Sequence, residues 1–161
     1  MQSRKEDIIH KLRASGEAST RFFSDLKEEQ LSREVYSDGL QWTVAQVLAH
    51  LVMIERSMHR LFESLLRGGP GSPRDFDIER FNRSQTGKLE GLSRDDLLKR
   101  FSEVRGRTVA MVEQMSETDL DREGWHAFLG QDRLERFIRW AYEHAALHQD
   151  DIRTVVLKAK D

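Results

Sequence analysis

Both prolines of this 161-residue chain, Pro70 and Pro73, fall in one stretch, Gly68 to Leu92, which also carries Gly71, Gly87 and Gly91. On either side of it, apolar residues recur at helical spacing. Upstream, Ile8, Ile9, Leu12, Phe22, Phe23 and Leu26 make one stripe, which predicts a first long helix over about residues 4 to 29. Ser37-Asp38-Gly39 then signals a turn, and Thr43 followed by Gln46 has the spacing of a capping box. The second helix begins there and runs to about Arg67, where Gly68-Gly69-Pro70 stops it. Downstream, Ser93 with Asp96 caps a third helix, and Leu97, Leu98, Phe101, Val104, Thr108, Met111 and Val112 continue its stripe to about Met115. Ser116 to Gln131, with Gly124-Trp125-His126 and Gly130, reads as a structured loop. Asp132 with Glu135 supplies the last cap, and a fourth helix carries Leu134, Phe137, Ile138, Ala141, Leu147 and Ile152 to the end.

Four long amphipathic patterns and no period-two strand predict an all-α four-helix bundle, with residues 1–161 forming one domain. The proline-bearing stretch bears on its topology. A second helix of roughly 24 residues is about 36 Å long, a distance that a connection of about 25 residues spans easily. The third helix can therefore lie parallel to the second. Within the connection, Phe76 to Asn82 reads as a short helix with Ile78 and Phe81 facing the core.

Composition excludes several chemistries. There is no cysteine, so disulfides, thiolate ligands and a protein thiol nucleophile are ruled out, and any metal must take nitrogen or oxygen ligands. The 26 Lys and Arg are interspersed with 28 acids, for a net charge of −2, which provides no basic field for a nucleic-acid backbone. The apolar run after the N-terminus is too short for a signal peptide, and nothing approaches a membrane span, so a cytoplasmic location is expected.

The residues that suggest chemistry are histidines. His144 and His148 stand at i and i+4 on the fourth helix, about 6 Å apart along its axis, on the face that also holds Phe137, Trp140 and Asp151. His50 shares the inward stripe of the second helix with Ile54, Ser57 and Leu61. It lies about 10 Å from that helix's start, and the pair lies about 15 and 21 Å from the end of the fourth, so antiparallel packing would bring the three to one level. Three imidazoles with a position left for water suit a catalytic zinc-type site, and nickel, iron and copper also accept such ligands. Inward histidines also serve as hydrogen-bonded core residues, and that reading stays open here. Asp151 reads as a solvated acid or salt-bridge partner, or else as the carboxylate that orients a ligand histidine. His10 and His59 read as surface residues, His59 being half a turn out of phase with His50 and so turned to solvent or to a different neighbour. His126, beside Trp125, reads as an ordinary loop residue or else as one that reaches an open bundle mouth.

Trp42-Thr43-Val44-Ala45-Gln46-Val47-Leu48-Ala49-His50-Leu51 resembles the start of the second helix in the DinB/YfiT-like superfamily. His144, His148 and Ile152 match its second motif, a His-x-x-x-His followed by an isoleucine. The segment Asp77 to Asn82, the Ser93-Arg94-Asp95-Asp96 helix start and the Ser116-Glu117-Thr118-Asp119-Leu120 turn are similar as well. The resemblance implies an up-down-down-up bundle, a homodimer, and a divalent ion, zinc or nickel foremost, on His50, His144 and His148. It implies a small-molecule substrate and either a metal-dependent hydrolase or a transferase or isomerase using a low-molecular-weight thiol. A branch resembling colibactin-resistance hydrolases shares the fold. Ala145 departs from the pattern, since many relatives carry a bulky aromatic there. The competing class is a metal-free small-molecule-binding or structural homodimeric bundle.

Overall fold

The structure, a computed structural model, describes residues 2–36 and 41–157. In chain order it contains α1 (Arg4–Ser24), α2 (Glu28–Leu31), α3 (Val44–Leu66), α4 (Ile78–Lys88), α5 (Arg94–Gln114), the strands β1 (Glu123–His126) and β2 (Gly130–Arg133), and α6 (Leu134–Ile152). The four long helices form the bundle. Three of the expected starts are made as the side chains dictate. Ser3 caps α1 and Thr43 caps α3, each hydroxyl accepting the amide of the residue three on while the cap's own amide donates to that residue's side chain, and Ser93 accepts from the Asp96 amide at the start of α5.

α1 packs on α5 and α6, and α3 packs on the same two helices, so α1 and α3 face each other across the bundle. Side-chain bonds set the directions. Lys5 reaches the carbonyls of Glu113 and Met115 while Arg94 reaches those of Phe23 and Leu26, which makes α1 and α5 antiparallel. Arg4 with Glu135 and Gln149 with Ser19 make α1 and α6 parallel. Arg105 with Glu55 and His59 with Thr108 show α3 and α5 running together. α3 and α6 are therefore antiparallel, and the topology is up-down-down-up with the long crossover between α3 and α5.

Two apolar layers fill the bundle. One gathers Phe23, Leu48, Val52, Leu97, Phe101 and Ile152, and the other Leu12, Phe62, Val112, Leu134, Phe137 and Ile138. Between them lies a buried polar waist. Arg105 of α5 donates to the Glu55 carboxylate of α3 at 2.9 Å and to the carbonyls of Leu12 in α1 and Ala141 in α6. One guanidinium thus bonds all three other long helices. Gly16 makes room for it, since a Cβ there would sit 3.1 Å from Arg105 Cγ.

Several local expectations are corrected. The first helix stops at Ser24, because Arg94 takes the carbonyls of Phe23 and Leu26 and the Gln30 side chain takes the Lys27 amide at 2.8 Å, restarting the chain as α2. The loop before α6 holds a hairpin, pairing Glu123 with Arg133 through His126 with Gly130. Its strands are four residues each, too short to show alternation against a helical background. Asp132 and Glu135 do not cap α6. Asp132 bonds the Arg133 amide, Glu135 is taken by Arg4 and Arg139, and the Leu134 amide goes to the Arg122 carbonyl at 2.7 Å. Ile78 and Phe81 border a cavity instead of entering the core. A π-helical turn, Arg153–Leu157, follows α6, and the Ser37-Asp38-Gly39 turn lies outside the described residues.

Candidate metal centre

Antiparallel packing of α3 on α6 brings His50, His144 and His148 together. His144 Nε2 lies 2.9 Å from His148 Nε2 and 3.4 Å from His50 Nε2. One nitrogen from each ring can be chosen so that all lie within 4.8 Å of one another. Two imidazoles on one tetrahedral zinc, at ordinary zinc–nitrogen distances, stand about 3.3 Å apart. The donor set and its spacing therefore fit a single divalent ion.

Each ring has its own aromatic neighbour. Trp42 lies against His50 with centroids 4.5 Å apart, Trp140 stacks on His144 at 5.2 Å, and Tyr36 meets His148 edge-on at 5.7 Å. Burial lowers all three imidazole pKa values. His50 falls to about 3, burial being the larger cause and the neighbouring His148 the second. His144 and His148 are lowered too, again first by burial. Neutral imidazole is the form that binds a metal.

The histidines sit in the wall of a cavity of about 1030 Å³ between α3, α6, the hairpin and the crossover. Trp42, Met58, Leu61, Phe81 and Trp140 give it a largely apolar lining. At its mouth Phe128 of the hairpin tip is 67% exposed and stacks on Trp140 at 5.5 Å. Arg60 and Arg83 border it as well.

Residues 11–152 match the DinB superfamily. The chain belongs to it. Among solved structures, this DinB protein is similar to YfiT from Bacillus subtilis, described as a probable metal-dependent hydrolase with an unusual four-helix bundle topology. The identity is 22% over 97% of this chain and 87% of the other, with a TM-score of 0.77. It is also similar to a mycothiol-dependent maleylpyruvate isomerase, at 13% identity and a TM-score of 0.76, over 94% of this chain but 63% of the isomerase. The chain thus spans less than two thirds of that enzyme. The colibactin self-resistance protein ClbS, solved with double-stranded DNA, matches at 15% identity and a TM-score of 0.72, over 93% of this chain and 95% of ClbS. At these identities the likeness establishes the fold. The sequence matches no protein of curated function.

The remaining predicted residues divide. His10 is exposed as expected. His59 is buried, its Nε2 2.8 Å from Thr108 Oγ1, because α3 is covered by α5 on that side as well as by α6. His126 is buried and takes part in the site's architecture. Its Nδ1 accepts the amides of Phe128 and Leu129, both at 3.0 Å, and so shapes the hairpin tip beside the cavity. Asp151 makes no salt bridge among the described residues; it accepts from the Tyr36 hydroxyl at 2.6 Å. Tyr36 had no signal in the sequence, since it lies on no helical stripe and falls between α2 and α3. Ala145 is buried in the apolar core and does not border the cavity.

Proposed function

We propose that this DinB protein is a metal-dependent enzyme acting on a small molecule, with His50, His144 and His148 holding one divalent ion, zinc or nickel. The observation that carries the reading is the convergence of three imidazoles, His50 buried and His144 and His148 half-buried, in the wall of a large, mostly apolar cavity, where burial lowers all three pKa values and favours the neutral rings. A bound divalent ion would supply Lewis acidity, lowering the pKa of a water or thiol that it binds. The chain's own residues hold the three rings and surround them. Trp42 and Trp140 restrict the planes of His50 and His144, and the apolar walls exclude water from the less polar part of a substrate. With no cysteine in the chain, any thiol would enter as a cosubstrate. The likeness to a probable metal-dependent hydrolase and to a mycothiol-dependent isomerase supports hydrolysis or thiol transfer as the reaction.

The test is elemental analysis of protein purified without chelator or affinity tag, followed by turnover assays on small electrophiles with and without low-molecular-weight thiols. The expected result is about one ion per chain, lost in His50→Ala and His144→Ala. Metal well below that level, unchanged in His50→Ala, would sink the reading in favour of a metal-free binding bundle. Turnover that requires an added thiol would select transferase over hydrolase.

A further inference from the structure

Tyr36 lies outside both histidine-bearing helices, on the segment between α2 and α3. An isolated antiparallel bridge, Glu34 with Thr43, ties that segment to the start of α3, the Val35 amide donating to the Trp42 carbonyl at 2.8 Å and the Val44 amide to that of Arg33 at 3.0 Å. The Tyr36 hydroxyl is thereby set 2.6 Å from Asp151 Oδ2 and 2.7 Å from His148 Nδ1.

Counting protons determines who donates. A carboxylate only accepts, so the single phenol proton goes to Asp151. The phenol oxygen can then only accept from His148, and Nδ1 must carry a hydrogen. A neutral imidazole has one N–H, so the lone pair is on Nε2, the atom that faces His144. Free histidine in water prefers the opposite tautomer, with the hydrogen on Nε2. The Tyr36–Asp151 pair opposes that preference. We propose that Tyr36, held by Asp151, is a positioning residue that fixes His148 as its Nδ1–H tautomer and aims the Nε2 lone pair at the metal position. The inference rests on the metal reading above for its purpose, but its chemistry is decided by the tautomer alone. A histidine ligand commonly needs such an outer partner to fix ring and tautomer, and a tyrosine backed by an acid performs that task here.

Two measurements test it on the full chain. Long-range proton–nitrogen spectra of chelator-treated, nitrogen-labelled protein report the tautomer, the His148 signals being identified by their loss in His148→Gln. Zinc affinity is measured by competition with a chromophoric chelator. Wild-type protein is expected to show His148 protonated on Nδ1. Tyr36→Phe, which keeps the ring and removes the hydroxyl, is expected to shift His148 toward Nε2–H and to weaken zinc binding about 10- to 100-fold. A smaller loss is expected for Asp151→Asn, because the amide oxygen can still accept the tyrosine proton and leave the phenol oxygen to accept from Nδ1. Finding His148 mainly as Nε2–H in the wild type, or an unchanged tautomer and zinc affinity in Tyr36→Phe, overturns the inference and leaves the metal reading standing. If the wild type binds no zinc or nickel, the metal reading falls, and the spectra still decide whether Tyr36 sets the tautomer.

Discussion

His126 shows how a single side chain outside the helical motifs can shape the site. It is 8% exposed, and burial, followed by the nearby Arg136 charge, pushes its pKa down to about 4. Its Nδ1 must stay unprotonated to accept the amides of Phe128 and Leu129. In the unfolded chain the same imidazole titrates near 6.5, so between the two values the unfolded state binds the extra proton. The stability linked to His126 is therefore intact above pH 6.5 and is lost as pH falls toward 4, by up to about 3 kcal/mol. His126→Asn places an amide oxygen where Nδ1 accepts and removes the titration. Urea unfolding measured across that range should give a shallower acid limb for the variant; an identical limb would show that the imidazole titrates normally. The lowered pKa of buried His59 acts in the same direction, so some slope should remain. At this scale the sequence was legible for His50, His144 and His148, whose phase on a helix is local. It was not legible for His59 or Tyr36, whose partners, Thr108 on one side and Asp151 with His148 on the other, are 49 or more residues away.

At the scale of elements, the crossover and the hairpin hold each other where one glycine allows it. Gly71 has φ +97 and lies in parallel-bridge contact with Trp125, whose carbonyl would be 2.5 Å from a Cβ at that position. The Trp125 amide donates to the Pro70 carbonyl and the Ser72 amide to the Trp125 carbonyl, both at 2.8 Å. Gly71→Ala should therefore destabilise the protein by more than ~1 kcal/mol, through a strained backbone and the loss of these bonds. Gly106, inside α5 with nothing near its missing Cβ, is the counter-case. Gly106→Ala should stabilise by roughly 0.5–1 kcal/mol. Chemical denaturation of the two variants checks both signs, and a neutral Gly71→Ala would mean that crossover and hairpin are not coupled. Sequence punctuation placed the long helices well because a cap or a glycine acts within one turn. It missed the hairpin and the early end of α1, since a four-residue strand has no period to read and Arg94 reaches α1 from another helix.

For the whole molecule, the waist of the bundle depends on Arg105 and Glu55, 4% and 2% exposed. Removing one partner leaves the other's charge buried, so Arg105→Met should cost about 3–5 kcal/mol in urea unfolding. The double variant Arg105→Met with Glu55→Leu should recover most of that loss, because Thr108 can still donate to the Val104 carbonyl at 3.1 Å. Equal losses in the single and double variants would mean that the pair does not act as a unit. By itself the sequence determined the all-α class, the four long helices, the length of the crossover and the inward direction of three histidines. All of these follow from spacing along one helix or from chain length. Only the tertiary structure decided which helices touch, and with that the burial of His59, the hold of Tyr36 and Asp151 on His148, and the role of Arg105 as a bond shared by four helices. Each of these depends on groups far apart in sequence meeting in a low-dielectric interior, where every buried donor or acceptor must find a partner.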